Sequence, residues 1–393
     1  MMDRKRRAAA LVVCVGVLAV LSLLAVSFAR ALGVERDAAR SQGLQLEADL
    51  TALAGLEFAH AELVRLGAER GWDSIDDPWV LGALSGEVPA DPLHPDHTRT
   101  YRLRIRDSAS MIDLNGPRDV VRLQLVNLGC VLSTNLGRTI LAEQVVDALL
   151  VERDRVAAFG DRRDLQAAGL LSADDFEAVA GFVTTWGRRD PLTVRATSAY
   201  ADGTVFRARV QPDLERSPRA PVAVNTAPLE VLASNFGEAE GVWFEADPAT
   251  PGMSVARRSR VPIETARRLA EEIAAARSVE PFATRDDFES LVDALASRGI
   301  LDRLQAEVVK RVADPNVVRT GPVGKAGLVA HGCELAFSSG GRFEIDCAAR
   351  VEAGDGTRLA TSRVREVVDL YTDWSDRTFA AFSEGEGSSP DPA

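Results

Sequence analysis

Behind a short basic cluster, Arg4-Lys5-Arg6-Arg7, the chain runs from Ala8 to Ala29, 22 residues, without a charge. At about 1.5 Å per residue such a helix is roughly 33 Å long, enough to cross the hydrocarbon core of a bilayer. A secretory signal peptide has a shorter apolar region, about 7–15 residues, with a small-residue cleavage site after it. Here the run is longer, and Arg30 opens a further helical pattern. The run therefore reads as a retained, single-pass transmembrane helix. The basic cluster keeps the N-terminus cytoplasmic and places the bulk of the chain on the other side, because Lys and Arg collect on the cytoplasmic flank.

No proline interrupts residues 31–66. Leu46, Leu50, Leu53, Leu56 (with Phe58 beside it), Ala61 and Val64 recur mostly at steps of three and four, the stripe of an amphipathic helix. Gly33, Gly43 and Gly55 weaken that helix by about 1 kcal/mol each against Ala without forbidding it. One helix is thus expected from Ala8 to about Leu66. Its first half suits lipid or a helical bundle, and its second half packs through the stripe, most simply on a sheet of the same chain.

The rest is globular in composition, with 46% hydrophobic and 26% charged residues over 393 positions. Acidic residues number 58 against 46 basic, a net charge of −12, which disfavours binding to phosphate backbones. Only 4 His and 4 Cys are present, too few for a disulfide-dense scaffold. No Gly-rich phosphate loop, nucleophile elbow or Cys–His arrangement is found, so an enzyme is not expected. His94 and His97 are three apart in a loop and read as solvated rather than as metal ligands. Asp73, Asp76 and Asp77 likewise read as a solvated loop before a calcium site. The five Trp residues read as core or interface anchors.

Gly71–Thr98 is expected as a loop. Tyr101–Ile105 alternates like a half-buried strand, Ser108–Ser110 turns, and Met111–Asn115 is a second short strand closed by Gly116-Pro117. Residues 118–313 are mainly helical and contain a weak internal repeat. Phe159-Gly-Asp-Arg-Arg-Asp-Leu165 resembles Phe282-Ala-Thr-Arg-Asp-Asp-Phe288, each between two helix-like stretches and each with an Asp N-cap. Thr204–Val210 between the halves could be a strand. Near the C-terminus, Glu334–Ser338 and Arg342–Val351 flank Ser339-Gly340-Gly341 as a hairpin, and Leu359–Tyr371 alternates again. A three-residue hairpin loop would set Cys333 opposite Cys347, a possible disulfide in an oxidising exterior.

Several strings resemble the largest minor pseudopilin of type II secretion, the general secretion pathway protein K family. Ala52-Leu-Ala-Gly-Leu-Glu57 is similar to the "AxAGLE" segment late in pseudopilin first helices. Tyr101–Asn115 resembles the strand–turn–strand segment ending "(I/F)NLN". Val224-Asn225-Thr226-Ala227-Pro228-Leu229-Glu230-Val231-Leu232 resembles "VNTAPxEVL" and is the most specific of the three. Physically that string reads as a helix start, with Thr226 as N-cap, Pro228 in the first turn and Glu230 at the positive end of the dipole.

The resemblance implies an α+β fold. A long N-terminal transmembrane helix would continue onto an antiparallel pilin-like sheet, with a large all-helical insertion domain. The implied divisions are a basic leader over 1–8, the membrane helix over 9–30 and its periplasmic continuation over 31–67. A loop and first strands follow over 68–117, the helical insertion with two hairpin units over 118–320, C-terminal strands over 321–374 and a disordered tail over 375–393. Prepilin peptidase would cut between Ala8 and Ala9, where the family has Gly before the cut. Val13 then stands fifth, where most pilins carry Glu but this type does not. The implied partners are the other minor pseudopilins, the major pseudopilin, the inner membrane, and secreted substrate or the outer-membrane channel. The family also binds calcium, although its "DxDDEPR" segment has no counterpart better than Trp186-Gly-Arg-Arg-Asp190. The alternative is a membrane-anchored periplasmic helix-hairpin-helix protein of the DNA-uptake type. Against nucleic acid stand the missing glycine hairpin after Asn235-Phe236 and the 13 acidic against 7 basic residues from Thr226 to Leu295.

Overall fold

A computed structural model describes residues 2–70, 73–80, 82, 84–89, 91–187, 197–199, 205–207, 221–246, 249, 254–314, 328–330, 335–337, 341–370 and 374–380. Helix α1 spans Met2–Arg70 as 69 unbroken residues. The proline-free stretch thus forms the single rod expected, and extends past it at both ends. The rod is followed by β1 (Ser85–Val88), β2 (Thr98–Asp107), a 3₁₀ turn at Ser108–Ser110 and β3 (Ile112–Asp113). Then come α2 (Arg118–Leu136), α3 (Glu143–Arg155), α4 (Asp164–Ala167), α5 (Ala173–Ala180) and β4 (Val183–Thr184). Strands β5 (Thr197–Ala199), β6 (Val205–Arg207) and β7 (Val222–Ala223) precede α6 (Leu229–Phe236). Next are β8 (Glu240–Ala246), β9 (Ser254–Arg260), α7 (Ile263–Arg277), α8 (Arg285–Ser297) and α9 (Arg303–Ala313). The chain closes with β10 (Leu328–Ala330), β11 (Leu335–Ala336), β12 (Arg342–Glu352), β13 (Arg358–Asp369) and β14 (Trp374–Ala380). The class is α+β, a long apolar N-terminal helix with mixed helices and an antiparallel sheet.

The main sheet has the order β1-β2-β12-β13-β14, antiparallel throughout. Strands from before the helical region therefore pair directly with strands from after it. Leu103, Ile105, Phe343, Ile345, Cys347, Val364 and Val368 point from one face onto Ala52, Leu56, Ala59 and Leu63 of α1, forming one hydrophobic core. Trp79 closes its edge, with its ring edge-on to Phe343 at 5.4 Å. A second, larger core belongs to the helices.

The helical region is built twice. In the first unit β3 pairs parallel with β4, and in the second β7 pairs parallel with β11. Asn115 ends the first opening strand; its amide donates to the Phe159 carbonyl and its oxygen accepts from the Phe159 N–H, both at 2.9 Å. Asn225 makes the same pair of bonds to Phe282, again both at 2.9 Å. Arg153 of α3 donates to the Leu114 carbonyl at 3.2 Å, and Arg277 of α7 donates to the Val224 carbonyl at 2.6 Å. Both arginines are buried, and desolvation lowers the pKa of each, that of Arg277 to about 10. The Phe159/Phe282 repeat visible in the sequence thus marks two copies of one clamp.

Five local expectations are corrected. The loop over 71–98 contains β1, which pairs with β2. The region expected to be an all-helical insertion, 118–320, also holds strands β4 to β9, and β4 pairs with β3, which the 3₁₀ turn carries off the main sheet. The hairpin across Ser339–Gly341 does not form. Strand β12 already has β2 and β13 on its two edges, and β11 pairs with β7. The region assigned to a tail, 375–393, begins with β14, while residues 381–393 lie outside the described residues. The helix caps at the repeat are Ser172 and Thr284, with Asp175 and Asp287 at the third helical positions. Thr284 and Asp287 form a reciprocal capping box.

The two cores meet through polar contacts. Thr184 donates to Glu344 at 2.9 Å, Thr226 donates to Asp107 at 2.9 Å, and Arg342 donates to the Gly187 carbonyl at 3.1 Å.

Candidate functional site along the first helix

Within α1, the stretch from Gly16 onward is long and apolar enough to cross a membrane, and its most apolar window is wholly unburied. Leu18, Leu21, Leu23 and Phe28 are among its exposed side chains. Ala8 and Ala9 lie in the first turns of the same helix.

The second half of α1 is seated on the sheet by a stripe that keeps Leu56 of the one expected, with Leu53 half-buried beside it, and otherwise differs from it. Ala48, Ala52, Leu56, Ala59, Leu63 and Leu66 are buried, at steps of four, four, three, four and three. Leu46, Leu50 and Val64 are 56–59% exposed and lie on the opposite side. The periodicity was helical for both stripes, and the small one won because alanines let the helix axis approach the strands closely. Gly55 is a point of close approach. A Cβ built there would lie 2.7 Å from Cys347 Sγ and 2.9 Å from Tyr101 Cδ2.

Polar pairs fix the register of rod on sheet. His97 Nδ1 lies 3.0 Å from Glu47 Oε2, and Glu47 is buried. Toward the other end, His60 Nε2 lies 3.1 Å from Glu366 Oε2, a fully buried carboxylate on β13. Gln45 donates to the Thr361 carbonyl at 3.3 Å. His97 is therefore held in the helix–sheet seam rather than solvated, with the His94 ring stacked on it at 4.8 Å. Asp73 and Asp77 are also buried rather than solvated, and Asp77 accepts from the Ser74 N–H at 2.9 Å. Among the described residues, no three His, Cys, Asp or Glu side chains are grouped to hold a metal ion. Among the described residues the calcium implied by resemblance thus finds no donor set.

The helix-start string works differently from its sequence reading. Pro228 occupies the N-cap of α6, and no side chain caps it. The Thr226 hydroxyl instead donates to Asp107 at the end of β2. Ala227 is fully buried, and Asn225 is the clamp on Phe282. No signal within nine residues could have announced a partner 57 positions away.

Cys347 faces the α1 seam as a free, buried thiol, between Leu103 and Val364 on the neighbouring strands; Cys333 lies outside the described residues. Desolvation, with Asp346 adding to it, pushes the Cys347 thiol up to about 12. Iodoacetamide at pH 8 is expected to label exposed Cys130 and spare Cys347 until the chain unfolds, as read by peptide mass spectrometry. From about pH 9 to about 12 the unfolded thiol ionises while the native one keeps its proton, so this group's contribution to stability is lost as pH rises through that window. Equal labelling of both cysteines in the native chain would contradict the seam geometry.

No family model, curated protein or solved structure matches the chain.

Proposed function

We propose that this chain is a minor pseudopilin of a type II-like secretion machine, anchored in the inner membrane with its N-terminus cytoplasmic and its bulk periplasmic. It resembles the general secretion pathway protein K family. Its work is mechanical. Prepilin peptidase removes the leader, the apolar half of α1 leaves the bilayer to pack beside homologous helices, and the bulky head caps the tip of the pseudopilus. There it meets the other minor pseudopilins, the major pseudopilin, and secreted substrate or the outer-membrane channel. Val13 in the fifth position offers no carboxylate to a subunit above, which suits a terminal place.

One observation carries the reading. Over residues 46–66, α1 carries apolar side chains on two sides. Ala48, Ala52, Leu56 and Leu63 are spent on the sheet, while Leu46, Leu50 and Val64 remain open on the far side. These open side chains lie on the same rod as the bare apolar half, beyond the charged stretch from Arg30 to Arg40, and give it apolar surface to set against other helices.

N-terminal sequencing of the membrane-extracted protein tests it. The expected start is Ala9 with a methylated amine; an intact Met1, or a cut beyond Ala29, overturns the reading. The helix-hairpin-helix alternative predicts instead salt-sensitive retardation of DNA in a gel-shift assay.

A further inference from the structure

The sheet face turned away from α1 gathers cations in an otherwise acidic chain. Pleating puts Arg104 and Arg106 of β2, Glu344 and Asp346 of β12, and Arg365 of β13 on that face, with Arg363 two residues along. Arg162, from the loop before α4, reaches to 3.5 Å from Glu344. Together they line a cavity of about 110 Å³ at the junction of the sheet and the helical region. Since a water occupies about 30 Å³ of liquid, the cavity has room for a small polyatomic anion.

Five guanidinium groups face two carboxylates there, and both carboxylates are already committed. Glu344 is buried and accepts from Thr184 at 2.9 Å and from Arg365 at 2.7 Å. Asp346 is gripped by Arg363 through Nε at 2.7 Å and through Nη2 as well. Arg365 also faces Asp161 at 3.4 Å. Among the described residues, neither Arg104 nor Arg106 forms a hydrogen bond or a close ion pair, although Glu344 and Asp346 attract Arg106 through space. Arg106 is part-buried, and desolvation lowers its pKa and that of Arg162. Both keep their charge at neutral pH, because arginine starts so high. A part-buried guanidinium such as Arg106 loses water contacts without gaining a hydrogen-bonded acceptor, and an anion in the cavity would supply one. Guanidinium forks match the oxygens of carboxylates and of tetrahedral oxyanions.

We propose that this cavity is an oxyanion-binding site, with Arg104 and Arg106 as donors not yet committed to a hydrogen bond. It takes either a free sulfate or phosphate or the carboxylate of an acidic side chain presented by a partner. The test is calorimetric titration of the full chain in a non-ionic detergent, at ionic strength matched with sodium chloride. The probes are inorganic sulfate, inorganic phosphate and the blocked dipeptide N-acetyl-Glu-Glu-amide. Saturable binding is expected, weakened about tenfold by Arg106→Gln or Arg104→Gln, the loss of one charge-assisted bond. It should be unchanged in Arg350→Gln, which removes an exposed cation further along β12. Arg104 is itself exposed, so its variant keeps the test valid should Arg106→Gln misfold. Preference for the inorganic ions supports the free-anion source, and preference for the dipeptide supports the partner carboxylate. No saturation by any probe, or equal weakening in Arg350→Gln, overturns the proposal.

Discussion

Gly55→Leu is expected to lift α1 from the sheet, with amide exchange over residues 48–63 accelerating more than a hundredfold. The side chain would have to begin 2.7 Å from Cys347 Sγ and 2.9 Å from Tyr101 Cδ2. Cys347 cannot step aside without moving the sheet, because it is fully buried and lies between two strands. Overpacking of this kind costs about 1–3 kcal/mol, and the longer Leu side chain sits at the upper end. At 1.4 kcal/mol per factor of ten, about 3 kcal/mol is over a hundredfold in the population of the lifted state. Gly55→Ala gives a sharper contrast of sign. Helix propensity alone predicts that Ala stabilises by about 1 kcal/mol. Gly43→Ala in the same helix should show that gain, since nothing lies within 4 Å of its Cβ position. Gly55→Ala should instead destabilise. Hydrogen exchange on the three variants in detergent reads all of this, and parallel behaviour of Gly43→Ala and Gly55→Ala would refute the close approach.

That contrast shows what a sequence can and cannot carry. The rod was legible because continuity needs only the absence of proline and a supply of helix formers, both local properties. Its buried side was not. Leu46, Leu50 and Val64 make a better apolar line than Ala48, Ala52 and Ala59, yet the sheet took the alanines. Proximity favours small residues where two backbones meet, and the sequence does not say which line meets a backbone. For the same reason the glycine that read as a weakness of the helix is the residue that permits its seat. Strands within Tyr101–Ile105 and Leu359–Tyr371 followed from alternation, and the one at Arg342–Val351 from the turn signal before it, but pairing did not. The Ser339-Gly340-Gly341 turn looked like a hairpin because adjacent strands usually join, whereas β12 was already flanked by β2 and β13. The cavity rimmed by Arg104 and Arg106 was invisible for a related reason. Its members come from four segments, and only the register of three strands brings them onto one face.

Asn225→Ala is expected to destabilise the helical region by about 4 kcal/mol, the larger of two matched effects. The side chain is 4% exposed, and its amide answers both the N–H and the carbonyl of Phe282 at 2.9 Å. Removing it orphans two buried backbone groups, at about 1–3 kcal/mol each, besides leaving the side chain's own space empty. Asn225→Asp should cost nearly as much, because a carboxylate can still accept from the N–H but sets a charge against the carbonyl. Asn115→Ala breaks the equivalent pair of bonds to Phe159, and a further one to the Thr185 carbonyl at 3.1 Å, but at a half-buried position where water can replace them. Its loss should be smaller, about 2 kcal/mol. The readout is hydrogen exchange of the two clamped amides, Phe159 and Phe282, in each variant. If the halves are copies of one clamp, each substitution speeds its own Phe amide far more than the other. If Asn225→Ala leaves the Phe282 amide as protected as before, the conserved geometry of the two clamps carries no energy, and the string Val224–Leu232 is only the helix start that it resembles in sequence.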